Sequence, residues 1–210
     1  MIVYKYKKFL INLVLNNIRV YLLNMGERRS DTKGKILEAA LKLFSRKGFR
    51  ETTVKDIAKE VGITEGAIYR HFNSKDEIIH DLLISITTEL KEAIAKSIEK
   101  GESEEEIFKN IIETLIDYAF NKPESYRFLN LYHLLKEYPQ VTHLPGEQIL
   151  KFLNNLYAKK KLKTYPEVAL AVVTGSVERT FIFKERNFIK RDTQLIKIEL
   201  VSTLKKALIG

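Results

Sequence analysis

The stretch DIAKEVGITEGAIYRHFNSKDEII, Asp56–Ile79, most constrains what this chain can fold into. It holds two helix start signals and a bend at a glycine. Two helices that cross steeply need a small residue where they touch, which Ala58 supplies, and a turn residue that tolerates positive φ, which Gly62 supplies. Ile68 and Phe72 can then anchor the second helix in a core. The pattern predicts a helix-turn-helix.

The second helix of this motif has a face suited to nucleic acid. At about 100° per residue, Ile68 and Phe72 define its buried direction. The opposite face and its flanks carry small, basic and aromatic side chains: Gly66, Ala67, Tyr69, Arg70 and His71. Small residues allow close approach, arginine reads guanine or binds phosphate, and an alanine methyl group can meet a thymine methyl group. Tyr and His donors suit phosphate oxygens.

Three further residues border that face. Thr64 is a suitable N-cap for the second helix. Lys75 lies where the next helix starts, so its ammonium group and the helix N-terminus can together hold a phosphate. Glu65 is the one carboxylate near this surface, and it either accepts a hydrogen bond from a cytosine amine or faces water.

The charge distribution agrees with a polyanionic partner for the N-terminal third. The 210 residues carry a net charge of +9, and residues 1–80 hold 16 Lys and Arg against 9 Asp and Glu. The excess positive charge therefore lies beside the motif, as expected of a surface that meets a phosphate backbone. A basic surface without function is the alternative.

Helical periodicity dominates from Thr32 to the end, and strand signals are weak, so we expect an all-α fold of about nine helices. Thr53 with Asp56, and Ser74 with Glu77, have the spacing of capping boxes. Start and stop signals predict these segments: Ser30/Asp31 to Lys47, a helix opened by Thr53, Thr64–Phe72, about 75–100, 103–121, 123–138, 146–161, 166–186 and 192–208.

The first 24 residues allow three interpretations. Their apolar run is short and interrupted by polar residues, which does not fit a signal peptide or a membrane span. In the first, the sequence is translated from an upstream start, and Met25 begins the functional protein. The segment can instead be an extra amphipathic helix, or a helix that binds weakly to a membrane surface.

The segment Ile36–Leu83 resembles the DNA-binding domain of the TetR/AcrR family of transcriptional regulators. The matching features are the first helix ending LFSRKGF, then TTVKDIAKEVGI, GAIYRHF as recognition helix, and SKDEI. The resemblance implies DNA contacts, mostly to the backbone, at Thr53, Thr64, Gly66, Tyr69, His71 and Lys75. It implies base contacts at Ala67 and Arg70, leaves Glu65 doubtful, and makes Lys33 and Lys55 plausible phosphate contacts from helix ends.

The resemblance also implies three parts: an N-terminal extension (1–29), the helix-turn-helix domain (30–78) and an effector-binding and dimerisation domain (79–210). The last two helices carry apolar stripes, and the final one is apolar on two sides, which suits a core and a twofold-related copy. We predict an interface formed by Ala169, Val172, Val173, Ser176, Val177, Phe181, Leu200 and Leu204. A thick monomer core is the alternative.

The middle helices are rich in aromatic residues, which in this family line an apolar ligand cavity. We predict ligand contacts from Phe108, Tyr118, Tyr126, Phe128, Tyr132, His133 and Phe152. Ordinary core aromatics are an equally valid interpretation of each residue. The sequence does not name the ligand.

The sequence gives little support to an enzymatic function. The chain has no cysteine, its four histidines lack ligand spacing, and it has no Gly-rich phosphate loop. We therefore expect no catalytic site, no metal and no cofactor.

These patterns predict a cytoplasmic, homodimeric repressor that a small apolar or amphipathic effector releases from a palindromic DNA operator, without a membrane partner. One alternative is a protein that binds or sequesters an apolar ligand, with a vestigial helix-turn-helix. Another is a transcriptional activator.

Overall fold

The structure, a computed structural model, describes residues 31–133 and 145–210. Every regular element in these two ranges is a helix, which confirms the predicted all-α class. The elements are α1 (residues 31–47), α2 (Val54–Val61), α3 (Glu65–Ile68), α4 (Lys75–Glu99), α5 (Glu104–Asn121), α6 (Pro123–His133), α7 (Gly146–Ala158), α8 (Pro166–Glu185) and α9 (Thr193–Leu208). Residues 1–29, Met25 and most of the predicted 139–145 loop lie outside the described ranges.

The chain divides into two compact units, one ending at Ile78 and one running from Ile79 to Gly210. In the first unit, α1 to α3 pack around fully buried apolar side chains: Ile36, Ala40, Phe44, Ile57, Ile68 and Phe72. Gly48 and Gly62 end α1 and α2 with φ of +86° and +77°, values that L side chains rarely adopt. The predicted end of the first helix at Lys47 and the positive φ predicted for Gly62 are therefore confirmed.

The two predicted capping boxes differ in outcome. At α2 the box is complete, because the Thr53 hydroxyl accepts from the Asp56 amide and the Asp56 carboxylate accepts from the Thr53 amide. At α4 the Ser74 hydroxyl accepts from the Glu77 amide at 3.1 Å. The Glu77 carboxylate instead accepts from the backbone and side-chain N–H groups of Asn73, at 2.6 and 2.8 Å. The Ser74 half of the second capping box is therefore confirmed. The Glu77 half is wrong, because Asn73 offers two donors to the Glu77 carboxylate.

The recognition segment is shorter as a regular helix than predicted. Only Glu65–Ile68 is α-helical, with Thr64 as its confirmed N-cap. The chain then continues in tight turns, since the His71 and Phe72 amides both donate to the Ile68 carbonyl, at 2.8 and 3.0 Å. This double use of one acceptor ends the regular helix while it keeps Phe72 in the core.

In the second unit, α5 packs against α6, α8 and α9, and α7 packs against α8. The helix α5 is therefore central, and it buries Phe108, Ile111, Ile112, Leu115, Ile116, Tyr118 and Ala119. The helix α7 ends at Ala158, short of the predicted Lys161, because Lys160 adopts a φ of +57°. An isolated antiparallel bridge between Leu162 and Ile209 then ties the end of the chain to this turn.

Candidate functional site

The helix-turn-helix is built around a tight crossing of α2 and α3. Ala58 is only 3% exposed, and its carbonyl accepts from the Ile63 amide at 3.0 Å across the turn. Ile68 and Phe72 are 1% and 2% exposed, so the second segment is anchored by its inner face. The side chains between these two anchors are therefore turned outward.

All the predicted DNA-contact residues lie in the first unit. The exposed ones are Thr53, Lys55, Thr64, Glu65, Gly66, Tyr69 and Arg70, and the half-buried ones are Lys33, Ala67, His71 and Lys75. Tyr69 is 52% exposed, although tyrosine ordinarily buries much of its ring. Lys55 and Arg70 form no ion pair with any described residue, so their charges are available to a ligand.

The two threonines at helix starts have different hydrogen-bonding capacity. The Thr64 hydroxyl accepts from the Ala67 amide at 3.2 Å, which leaves its own proton free to donate to a phosphate. The Thr53 hydroxyl and the Thr53 amide both donate to the Asp56 carboxylate, at 2.9 and 3.0 Å. These bonds, with Lys47 and Lys59 nearby, hold the pKa of Asp56 below its usual range. Thr53 therefore has no spare donor unless Asp56 releases one.

Two of the three predicted lysine contacts, Lys75 and Lys33, are held by the protein itself. The Lys75 ammonium donates to the Phe49 and Thr52 carbonyls, at 2.8 and 3.1 Å, and so fastens the α1–α2 loop. Two of its three N–H donors are used, which leaves one for a phosphate. The Lys33 ammonium lies 5.1 Å from the centre of the Phe72 ring, in cation–π geometry.

The second unit contains a largely apolar cavity of about 250 Å³. Its wall comes from the five helices α4 to α8. The described lining residues are Leu83, Thr87, Leu90, Ile94, Leu115, Tyr126, Leu129, Asn130, Pro145, Gly146, Ile149, Leu170, Thr174, Val177 and Glu178. The Tyr126 ring packs edge-on against Phe181, with ring centres 5.0 Å apart. Burial, with the nearby Glu178 charge, raises the pKa of Tyr126, so its phenol keeps its proton.

Of the predicted ligand contacts whose side chains the structure describes, only Tyr126 lines this cavity. Phe108 and Phe128 are 2% and 0% exposed and belong to the packed core. Tyr132 is also buried, with a pKa raised by desolvation, and half-buried Phe152 does not line the cavity either.

Tyr118 lines a separate polar groove formed by α4 and α5. Its burial raises the pKa of the phenol to about 12. The side chain of His133 lies outside what the structure describes. Most of the aromatic residues predicted from the sequence thus belong to the packed core, whereas the described cavity wall is mainly aliphatic. The polar residues Asn130, Thr174 and Glu178 within apolar helices were the signal that the sequence prediction missed.

The predicted dimer residues divide into core and surface. Ala169, Val173, Val177, Phe181 and Leu204 are 0–3% exposed and belong to the core of the protomer. Val172 is 38% exposed, and Ser176 and Leu200 are half-buried. Other apolar side chains on α8 and α9 are exposed, among them Val168, Ala171, Leu195 and Ile198. We call Val168, Ala171, Val172, Leu195 and Ile198 the outer apolar face.

A sequence profile for bacterial regulatory proteins of the tetR family matches residues 36–82, the segment that holds most of α1, all of α2 and α3, and the start of α4. The N-terminal domain belongs to the TetR family. The resemblance read from the motif is thereby confirmed. The TetR-family domain carries every predicted DNA-contact residue from Thr53 to Lys75.

Known relatives match this domain most strongly. The regulator TtgR of Pseudomonas putida is 41% identical over 81 residues, which cover 39% of this chain and 37% of TtgR. The repressor KstR2 of Mycobacterium tuberculosis is 47% identical over 51 residues, which cover 24% of this chain and 26% of KstR2. The chain thus spans little more than a third of the length of TtgR and about a quarter of that of KstR2, and the similarity to both concerns the TetR-family domain.

The fold similarity extends further than the sequence similarity. The crystal structure of a TetR-family transcription regulator from Marinobacter aquaeolei superposes with a TM-score of 0.76 over 88% of this chain and 99% of that one. The sequence identity is 16%, so the match concerns the fold. In the two described ranges, no helix is long and apolar enough to cross a membrane.

Proposed function

We propose that this protein is a transcriptional repressor that binds an operator through α3 and its flanking turns. The observation that carries the proposal is the outward surface of α3 and the turn after it, which the buried side chains Ile68 and Phe72 anchor. On this surface, Thr64, Tyr69 and Arg70 offer exposed hydrogen-bond donors, and Gly66 has no side chain that would keep DNA away from the backbone. Such donors suit phosphate oxygens and guanine edges in a major groove. Action on DNA in the bacterial cytoplasm follows from this role.

Two copies of the chain would form the active repressor. The outer apolar face exposes Val168, Val172, Leu195 and Ile198 to 48, 38, 51 and 63%. Exposed apolar side chains of this kind favour association. A closed pair with twofold symmetry presents two recognition segments, which fits an operator with palindromic half-sites.

The cavity of the second unit would hold the effector. Its wall is preformed and mainly apolar, with few polar groups, as is typical of small-molecule sites. The helix α4 runs without interruption from Lys75, which fastens the α1–α2 loop, to Leu83, Leu90 and Ile94 in the cavity wall. An effector that binds one position of α4 better than another would shift the affinity for DNA by the same coupling free energy.

Selection of genomic fragments by the purified protein tests the proposal. Sequencing of the bound fragments should recover a palindromic element, enriched over input DNA. A protein with Arg70→Ala and Tyr69→Phe is the control, and it should recover no element. Equal recovery by both proteins, or no enriched element with the wild type, would favour a ligand-binding protein with a vestigial motif.

A further inference from the structure

The charge inside the cavity of the second unit is unbalanced. Among the described residues of the cavity wall, Glu178 is the one charged side chain, and it forms no ion pair or hydrogen bond with any of them. A carboxylate beside an apolar wall is stabilised by a cation or by hydrogen-bond donors. The described wall therefore presents one negative charge that a cationic ligand can pair.

Three cations on the helices α6 and α8, which line the cavity, already have partners. Arg127 pairs with Glu185, with 2.7 Å between the guanidinium and the carboxylate. The Lys184 ammonium donates to the Arg191 carbonyl. Arg179 lies over the Phe183 ring, with its guanidinium carbon 6.0 Å from the ring centre. None of these groups neutralises Glu178.

The other polar groups of the wall complete a site for an N–H donor. The Thr87 and Thr174 hydroxyls donate to carbonyls of their own helices, at 2.7 and 2.8 Å, so both protons are used. The Tyr126 phenol and the Asn130 amide have no hydrogen bond to a described residue and remain available to a ligand. Their oxygens, with the Glu178 carboxylate, are acceptors for a protonated amine.

We propose that the cavity selects amphipathic cations: molecules with one protonated amine on an apolar body. The amine donates to Glu178 and to the Tyr126 and Asn130 oxygens, and the body contacts the aliphatic wall. A carboxylate of the same size meets the Glu178 charge and is rejected. The charge preference does not depend on the proposed function. Only the role of the bound cation as effector rests on the proposed function.

Three probes of equal chain length test the charge preference: octylamine, octanol and octanoate. Calorimetric titration of the full-length protein should give tightest binding for octylamine, by about tenfold or more over octanol, since hydrogen bonds to charged groups are the stronger ones. Octanoate should bind most weakly. Equal affinities for octylamine and octanol, or a preference for octanoate, would overturn the proposal on the wild-type protein alone.

Glu178→Gln keeps the shape and removes the charge. It should weaken octylamine binding about 10- to 100-fold and leave octanol binding within about threefold. Glu167→Gln is the matched control, because Glu167 is an exposed carboxylate on the same helix outside the cavity. An unchanged preference for octylamine in Glu178→Gln would contradict the assignment.

DNA binding is measured separately on the same proteins. Wild type and Glu178→Gln should bind operator equally without a probe, and octylamine should release only the wild type at low concentration. Failure of the wild type to bind any operator would refute the proposed function as a regulator. The titrations would still test the charge preference of the cavity independently. Charge selectivity without release would refute the role as effector site and leave the cation site intact.

Discussion

At the scale of single residues, hydrogen bonding separates two kinds of polar side chain near the DNA-facing surface. Thr53 and Lys75 bond to the protein and hold its local geometry, whereas Tyr69 and Arg70 have no described partner and point outward. Both kinds share one sequence motif, so the sequence could place them in the same region. It could not tell them apart, because the Lys75 bonds reach back more than twenty residues to the Phe49 and Thr52 carbonyls.

Tyr69→Phe removes one exposed O–H donor and nothing else. We expect about tenfold weaker binding to operator and non-operator DNA alike, because a hydrogen bond to a charged phosphate oxygen is lost without any loss of base contact. Fluorescence anisotropy with both duplexes measures the change. Tyr165→Phe, at a tyrosine 66% exposed in the other unit, is the control and should bind like the wild type. Normal binding by Tyr69→Phe would remove Tyr69 from the interface.

At the scale of helices, the sequence predicted caps and turns well, because they depend on neighbouring residues. It predicted the features that depend on tertiary packing poorly. Gly48, Gly62, Thr64 and the Thr53 box act within a few residues, so their patterns sufficed. The cavity wall draws on five helices, and no local pattern records which side of each helix faces an empty space. The α8 stripe was recognised, but its apolar residues surround the helix, so its buried and exposed sides could not be assigned from periodicity.

Gly62→Ala tests the turn between α2 and α3. An alanine there must adopt φ near +77°, so we expect a loss of about 1 kcal/mol in the free energy of unfolding. Gly34→Ala is the control within the same unit, since a Cβ at this helical position meets nothing within 4 Å. It should leave stability unchanged or raise it. Urea unfolding measures both, and equal effects of the two changes would contradict the strained turn.

The α2 capping box should make the first unit sensitive to acid. The pKa of Asp56 is lowered in the folded chain, so its contribution to stability is present above the unfolded pKa of about 4 and is lost as pH falls through the lower folded value. Asp56→Asn should therefore reduce the slope of unfolding free energy against pH below about 4. Urea midpoints at several pH values measure this slope, and identical slopes for both proteins would show that Asp56 contributes nothing.

At the scale of the whole molecule, the sequence predicted the helical class and the TetR-family domain, but it did not separate the buried from the exposed apolar sides of α8 and α9. The outer apolar face lies on α8 and α9, the predicted helices, but on the sides opposite Val173, Val177 and Leu204. Only tertiary packing decides which apolar stripe is used internally, because α5 covers one side of each helix.

Ile198→Glu places a charge in the outer apolar face. The side chain is 63% exposed, so the folded protomer should tolerate the change, while burial of an unpaired charge between two copies should weaken association by about 100-fold. Sedimentation velocity should show monomers and operator binding should fall. Ile84→Glu is the control, because Ile84 is 46% exposed on α4, outside this face. A stable dimer of Ile198→Glu would place the interface elsewhere.

The most direct test of the central claim compares operator and scrambled duplexes by anisotropy over a range of salt concentrations. For the wild type, we expect a clear operator preference and an affinity that falls steeply with salt. Lys55→Ala should weaken both duplexes and lower the salt slope by about one, whereas Arg70→Ala should reduce the operator preference. Lys151→Ala, in the second unit, should match the wild type. A wild type that binds neither duplex, or both equally with no change in Arg70→Ala, would contradict the account of a sequence-specific DNA-binding regulator.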